Sequence, residues 1–243
     1  MASRPLGWSA TVLIAGLVAV PAHAQMTACT LPSVLPVPRV ETVQPSQRRT
    51  VAIGSYTLAL SWSPEHCSRA RASDGFQCDG EANRFGFILH GLWPDGQGRD
   101  WPQYCRPAQR LSPALIRRNL CATPSAGLLQ HQWTKHGVCM SRTPERYFDL
   151  ARGLYAKLRF PEMAALATDP DLTAARFTDA LLAANRSANP ALRREAISLA
   201  VTRDGWLDEV RLCLDQRLRF APCRANQARG ANGERALRIR RPG

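Results

Sequence analysis

The sequence predicts an α+β protein, with an antiparallel central β-sheet built from strands near both ends of the chain and several helices contributed by its middle. Three observations carry this. Apolar side chains alternate with a period of two at residues 56 to 62 and 85 to 90, and again at 197 to 214. Helical spacing and capping signals fill the stretch from 112 to 182. Eight cysteines in 243 residues are an even and unusual number for a reducing cytosol and point to a disulfide-bonded protein.

In chain order, residues 1 to 24 read as a secretory signal, with Arg4 as the positive start, an apolar stretch at 10 to 20, and Pro21-Ala22-His23-Ala24 as a small-residue cleavage site. The apolar stretch falls short of the ~20 residues of a spanning helix. No membrane anchor is therefore expected after cleavage, and the protein is expected in the periplasm or outside the cell. Residues 25 to 50 are proline-rich and lack a helical period, so they read as an extended leader with little function. Tyr56, Leu58, Leu60 and Trp62 alternate with Thr57, Ala59 and Ser61 as in a half-buried strand. A second strand is read with Phe85, Phe87 and Leu89 on one face and Gly86, Ile88 and His90 on the other.

Ser112-Pro113 opens a first helix, Pro124 precedes a second through Cys139, and Thr143-Pro144-Glu145 opens a third. The third places Tyr147, Leu150, Ala151, Leu154 and Leu158 on one stripe. Thr173 begins a fourth, carrying Phe177, Leu181 and Leu182. Ile197, Leu199 and Val201 then alternate toward the turn signal Asp204-Gly205, and Val210, Leu212 and Leu214 alternate out of it. The domain is read as residues 51 to 225. Residues 226 to 243 are arginine-rich and glycine-interrupted and are expected to be a mobile basic tail.

A content of 45% apolar and 21% charged residues with a mean hydropathy of −0.25 excludes disordered, collagenous and polytopic membrane classes. The net charge of +13 and pI near 10.3 point to a polyanionic partner. Arginine bias explains much of that charge, since lysine occurs only at 135 and 157.

Three of the five histidines fall in two short segments, His90-Gly91-Leu92-Trp93-Pro94 and His131-Gln132-Trp133-Thr134-Lys135-His136-Gly137-Val138-Cys139. His90 closes an apolar strand at the rim of the sheet. Gln132, Lys135, His136 and Cys139 form one stripe on a helix. An amide, a lysine and a histidine are poor core material, so this face is expected to line a cleft. A compact ammonium beside a histidine, in a chain that otherwise uses arginine, suits charge stabilisation at a point. A metal site from His131, His136 and Cys139 is the competing reading; the two histidines point about 140° apart around a helix. Two imidazoles and an ammonium suit metal-independent phosphoryl transfer on RNA. One imidazole takes the 2′-hydroxyl proton, the other protonates the departing 5′-oxygen, and the lysine stabilises the transition state.

The two segments resemble the paired signature segments of the ribonuclease T2 family, histidine-glycine-leucine-tryptophan-proline and histidine-glutamate-tryptophan-any-lysine-histidine-glycine-any-cysteine. Leu58-Ala59-Leu60-Ser61-Trp62-Ser63-Pro64 with Cys67, and Glu209-Val210-Arg211-Leu212-Cys213, resemble the family's first strand and closing sheet. The resemblance implies an endoribonuclease that cuts single-stranded RNA through 2′,3′-cyclic phosphate products, without metal or other cofactor, with His90 as general acid and His136 as general base. It further implies Lys135 and Gln132 as transition-state stabilisers, His131 as a phosphate holder, and Trp93 and Asp95 as base-binding residues, with Trp101 as a looser aromatic match. The implied disulfides are Cys67 with Cys78, Cys105 with Cys139 and Cys213 with Cys223, which leaves Cys29 and Cys121 as a pair by elimination. The family's usual bridge to the C-terminus is missing, so the tail is expected to be less tied down. Gln132 stands where the family has glutamate. Its loss of charge implies a slower enzyme with a lower pKa at His136, or, as the alternative, a catalytically weak or inactive RNA-binding protein on the same fold. A monomer is expected.

Overall fold

A computed structural model describes residues 26–70, 74–80, 82–227, 230 and 233–242. The expected signal at 1 to 24 lies outside the described residues. In chain order the elements are β1 (Met26–Ala28), β2 (Ile53–Trp62), the short α1 (Ser63–Cys67) and α2 (Gly75–Cys78), β3 (Arg84–Phe85) and β4 (Phe87–Gly96). Then follow α3 (Pro113–Asn119), α4 (Ala126–Gln132), α5 (Val138–Met140), α6 (Pro144–Ala156), α7 (Met163–Leu166), α8 (Ala174–Asn185), β5 (Ile197–Val201) and β6 (Leu207–Leu214). Four strands make one antiparallel sheet in the order β4-β2-β6-β5, and β1 pairs with β3 as a separate ribbon. This is the α+β arrangement read from the sequence.

Helix starts follow capping chemistry. Ser112, Ser125, Thr143 and Thr173 each accept a hydrogen bond from the backbone N–H three residues on, at the heads of α3, α4, α6 and α8. The hairpin between β5 and β6 turns through Gly205, whose φ of 80° is open to glycine without a side-chain clash. On one sheet face Leu58, Leu60, Trp62, Leu199, Val210 and Leu212 join the helices in a continuous core. The stripe of α6 differs from the expected one. It buries Tyr147, Phe148, Ala151 and Tyr155 and leaves Leu150 exposed. The reason is polar: the Tyr147 hydroxyl donates to the Leu92 carbonyl (3.0 Å) and that of Tyr155 to the Phe87 carbonyl (2.6 Å), so the tyrosines seal the edge strand β4 while their rings fill the core.

The pairing of β2 with β4 slips by one residue. Ala59 faces Gly91 and Leu60 faces Leu89, so His90 has no partner across the ladder. Such a bulge re-aims side chains. In unbroken register Leu89 would lie opposite Ser61 and His90 opposite Leu60, in the core. With the slip, Leu89 joins the core and His90 turns to the face of Ser61, its hydrogen-bonding neighbour.

The C-terminal segment corrects an expectation. Among its described residues, Leu237 and Ile239 are each only 4% exposed. Leu237 N–H donates to Leu172 O, Leu207 N–H to Arg238 O, and the Trp62 indole to Arg240 O. Arg240 pairs with the buried Glu65 (2.7 Å), and Arg238 and Arg240 stack on Trp206. The alternation Leu237-Arg238-Ile239-Arg240 is a strand-like pattern that the high arginine content hides. The leader is likewise fastened, by the disulfide Cys29–Cys121 and by pairing of Arg49 with Gln103. The other disulfides join Cys67 to Cys78, Cys105 to Cys139 and Cys213 to Cys223, the pairs that the resemblance implied.

Because Ile239 is core, Ile239→Ala is expected to lower the unfolding free energy by about 2–5 kcal/mol in urea titrations; a loss under about 0.5 kcal/mol would indicate a solvated tail.

Candidate active site

The site occupies the sheet face opposite the core, where the polar members of each strand alternation gather. Thr57 and Ser61 on β2, Glu209 and Arg211 on β6, and Gly91, Trp93 and Asp95 on β4 share it through direct cross-strand pairing. The helical segment lies against edge strand β4. Between α4 and α5 the chain makes a π turn, Trp133–Gly137, a distortion common at functional sites. The expected single stripe of Gln132, Lys135, His136 and Cys139 is therefore modified: Gln132 and His136 are buried and Lys135 is half-buried. The Cys139 sulfur is bonded to Cys105, so it is no thiolate ligand for the competing metal reading.

Trp93 is the hub. Its indole N–H donates to Gln132 Oε1 at 2.9 Å. The His90 ring meets it edge-on at 5.1 Å and the His136 ring stacks on it at 5.7 Å. The Arg211 guanidinium lies 5.4 Å from its centroid. Gly91 is required for this contact: a Cβ there would stand 1.9 Å from Gln132 Oε1.

The two histidines have opposite surroundings. His90 Nδ1 is hydrogen-bonded to Glu209 Oε1 and lies 3.1 Å from the Ser61 hydroxyl. The other Glu209 oxygen accepts from Arg211 Nε and Nη2 at 2.9 and 2.7 Å. Burial raises the Glu209 pKa, but the His90 and Arg211 contacts outweigh it and bring the carboxyl down to about 2. His136 is buried, and its Nδ1 has no hydrogen-bond partner among the described residues. Burial first, then the positive charges of Lys135, His131 and His90, hold its pKa well below the ordinary imidazole range.

Trp93, Asp95, Trp101, Lys135 and His136 line one cleft of about 300 Å³. Asp95 accepts from Thr57 Oγ1 (2.7 Å) and Gln227 Nε2 (2.9 Å), and burial raises its pKa against those bonds. Trp101 is exposed at the rim with Arg49 stacked on it. His131 does not line this cleft. Its Nδ1 bonds to Glu41 Oε1 at 2.6 Å, so the leader reaches the candidate site. Sequence reasoning missed Glu209, Arg211, Gln227 and Glu41 as site residues. The first two had a signal, as charged residues alternating with Val210 and Leu212 on a strand. The other two had none, because chain reversal alone brings them in.

An antiparallel four-stranded sheet with helices packed on one face is a fold that solved ribonucleases share. An RNase-related protein from Calystegia sepium aligns with a TM-score of 0.55 at 22% identity, over 75% of this chain and 95% of that one. RNase NT in complex with 5′-AMP aligns at 0.54 and 20%, over 79% and 100%. The sequence model of the Ribonuclease T2 family matches residues 53–223, and the chain belongs to that family. A "Ribonuclease" of Aeromonas hydrophila is 41% identical over 106 residues, 44% of this chain and 46% of the relative. A "Probable ribonuclease" of Haemophilus influenzae is 34% identical over 130 residues, 47% of each. The chain thus spans about half the length of the curated relatives it matches.

Two measurements test the electrostatics. NMR titration of His136 is expected to give a pKa well below 6.5, and Gln132→Glu to raise it, because a carboxylate favours the imidazolium. Unchanged titration would refute that coupling. Glu209, depressed from 4.5 to about 2, contributes stability above pH 4.5 that is lost as pH falls toward 2; Glu209→Gln removes this part of the acid-unfolding curve.

Proposed function

We propose that this protein is an endoribonuclease that cleaves single-stranded RNA by metal-independent transesterification, leaving 2′,3′-cyclic phosphate ends. The observation that carries the reading is the pair of unlike imidazoles on one tryptophan, His90 held by a carboxylate and His136 buried without one. His136, neutral near pH 7, is the general base that takes the ribose 2′-hydroxyl proton. The oxygen attacks the adjacent phosphorus, and the 5′-oxygen leaves with a proton from His90. Glu209 occupies Nδ1 of His90 and so leaves Nε2 as the proton-delivering nitrogen. Lys135 offsets the charge that grows on the phosphoryl oxygens. Gln132, its oxygen engaged by Trp93, has its amide N–H groups left to donate to the same oxygens.

Trp93 and Asp95 hold a base, the first by stacking, and Trp101 extends the aromatic wall. His131, steadied by Glu41, holds a phosphate through its other nitrogen. DNA lacks the 2′-hydroxyl and binds without reacting. Four disulfides support an oxidising compartment, periplasmic or extracellular, for a protein that carries its own signal. Among the described residues no helix is long and apolar enough to cross a membrane. The absence of a carboxylate at Gln132 favours one rival, a protein that captures RNA without turnover.

Incubation with RNA in EDTA separates these readings. Cleavage with cyclic-phosphate ends supports the enzyme, retention without cleavage the rival, and loss of cleavage on chelation a metal mechanism. His90→Phe and His136→Phe are each expected to lower cleavage by about 10²–10⁴-fold in protein that keeps the native circular dichroism spectrum; full activity in both would sink the acid-base assignment.

A further inference from the structure

Beyond Asp95, at the end of β4, the surface opens into a second cavity of about 530 Å³. Its wall is built by the segment after β6, closed on itself by the disulfide Cys213–Cys223. Asp215 organises this loop: its Oδ1 accepts from the backbone N–H groups of Arg217 and Arg219, at 2.8 and 3.0 Å, and its Oδ2 from Arg219 Nε at 2.9 Å. Leu218 at the tip has φ of 60°, a conformation costly for a non-glycine residue. Gln216 ties the loop to β2 through the Ile53 carbonyl at 2.6 Å. The loop is therefore fixed rather than loose, and it presents Arg217 and Arg219 to the cavity.

Arg224 completes the wall. Its backbone N–H is held by Gln227 Oε1 (3.0 Å), the same side chain that donates to Asp95. Its Nη1 lies 2.6 Å from where a Cβ on Gly54 would stand, so glycine at 54 is what lets the guanidinium lie across the start of β2. Arg219 is neutralised by Asp215. The Asp95 carboxylate acts on Arg224 from beyond ion-pair distance, but Arg217 and Arg224 make no direct ion pair among the described residues, so both guanidinium groups keep donors for a ligand. From Trp93 to Gln97, which lines the cavity, the extended chain covers about 13 Å.

We propose that this cavity is a phosphate subsite for the RNA backbone, gripping a phosphodiester beyond the nucleotide whose base lies on Trp93 and Asp95, on the side away from the scissile bond. Guanidinium groups suit it because they present forked donors to phosphate oxygens. The inference rests on the ribonuclease reading, and it makes the enzyme prefer polymers over the minimal dinucleotide. A dinucleoside monophosphate spans the two imidazoles and the base cleft only, whereas a longer strand reaches Arg217 and Arg224.

The test compares wild type with R217A/R224A on a dinucleoside monophosphate and on a single-stranded oligonucleotide of about a dozen nucleotides. For the double variant the oligonucleotide KM is expected to rise about tenfold or more, with dinucleotide kcat/KM and Tm unchanged. The slope of log kcat/KM against log salt for the oligonucleotide is expected to become shallower by about 0.7, for the one phosphate lost. Equal losses on both substrates, no loss on either, or the same loss in the charge-matched control R117A/R118A on α3 would overturn the subsite. Dinucleotide cleavage by wild type establishes the ribonuclease reading separately; its absence would overturn that reading and the subsite with it.

Discussion

A one-residue slip between β2 and β4 sets the geometry on which the site depends. Strand periodicity allows a side chain only two destinations, core or opposite face, and a slip exchanges them. Up to Gly91 the register keeps Leu92 against Leu58 in the core and Trp93 against Thr57 on the polar face. Beyond it, Leu89 returns to the core beside Leu60, and the histidine between them is released toward Ser61 and Glu209. Packing and chemistry would otherwise compete for that place, with an imidazole in an apolar core and a leucine in the cleft.

The slip also sorts the electrostatics. Glu209 and Arg211 alternate with Val210 and Leu212 on the central strand β6, so a buried carboxylate, paired with a half-buried arginine, stands under His90 while His136 has none. The two rings share a surface but differ in their countercharge. That difference holds His136 toward its neutral form, while His90 keeps a carboxylate partner. Gln132 fits the scheme through its hydrogen bond to Trp93, which a carboxylate at this position would also accept.

Much of the fold was legible in the sequence because local chemistry decided it. Ser112, Thr143 and Thr173 marked three helix starts and Pro124 the fourth, Asp204-Gly205 marked the hairpin, and alternation marked the sheet. Three things were not legible. The α6 stripe was misjudged because leucine counts as apolar and tyrosine only partly, although a tyrosine hydroxyl that finds a carbonyl is at home in a core. The docked C-terminal segment was hidden because two arginines alternate with Leu237 and Ile239 in a stretch already rich in arginine. The contacts of Glu41 and Gln227 join residues 90 and 132 positions from their partners, a separation that no local pattern encodes. The site histidines, lysine and tryptophans lay in two short segments and could be named, but the carboxylate under His90 came from a strand over a hundred residues away.

The docking of Leu237, Ile239 and Arg240 has a consequence for synthesis. These residues cover Trp62 and Glu65, at the junction of the first long strand and its helix. During synthesis from the N-terminus the core stays incomplete until Leu237 and Ile239 have left the ribosome. Until then the apolar surface around Trp62 stays uncovered, a state that a chaperone binds.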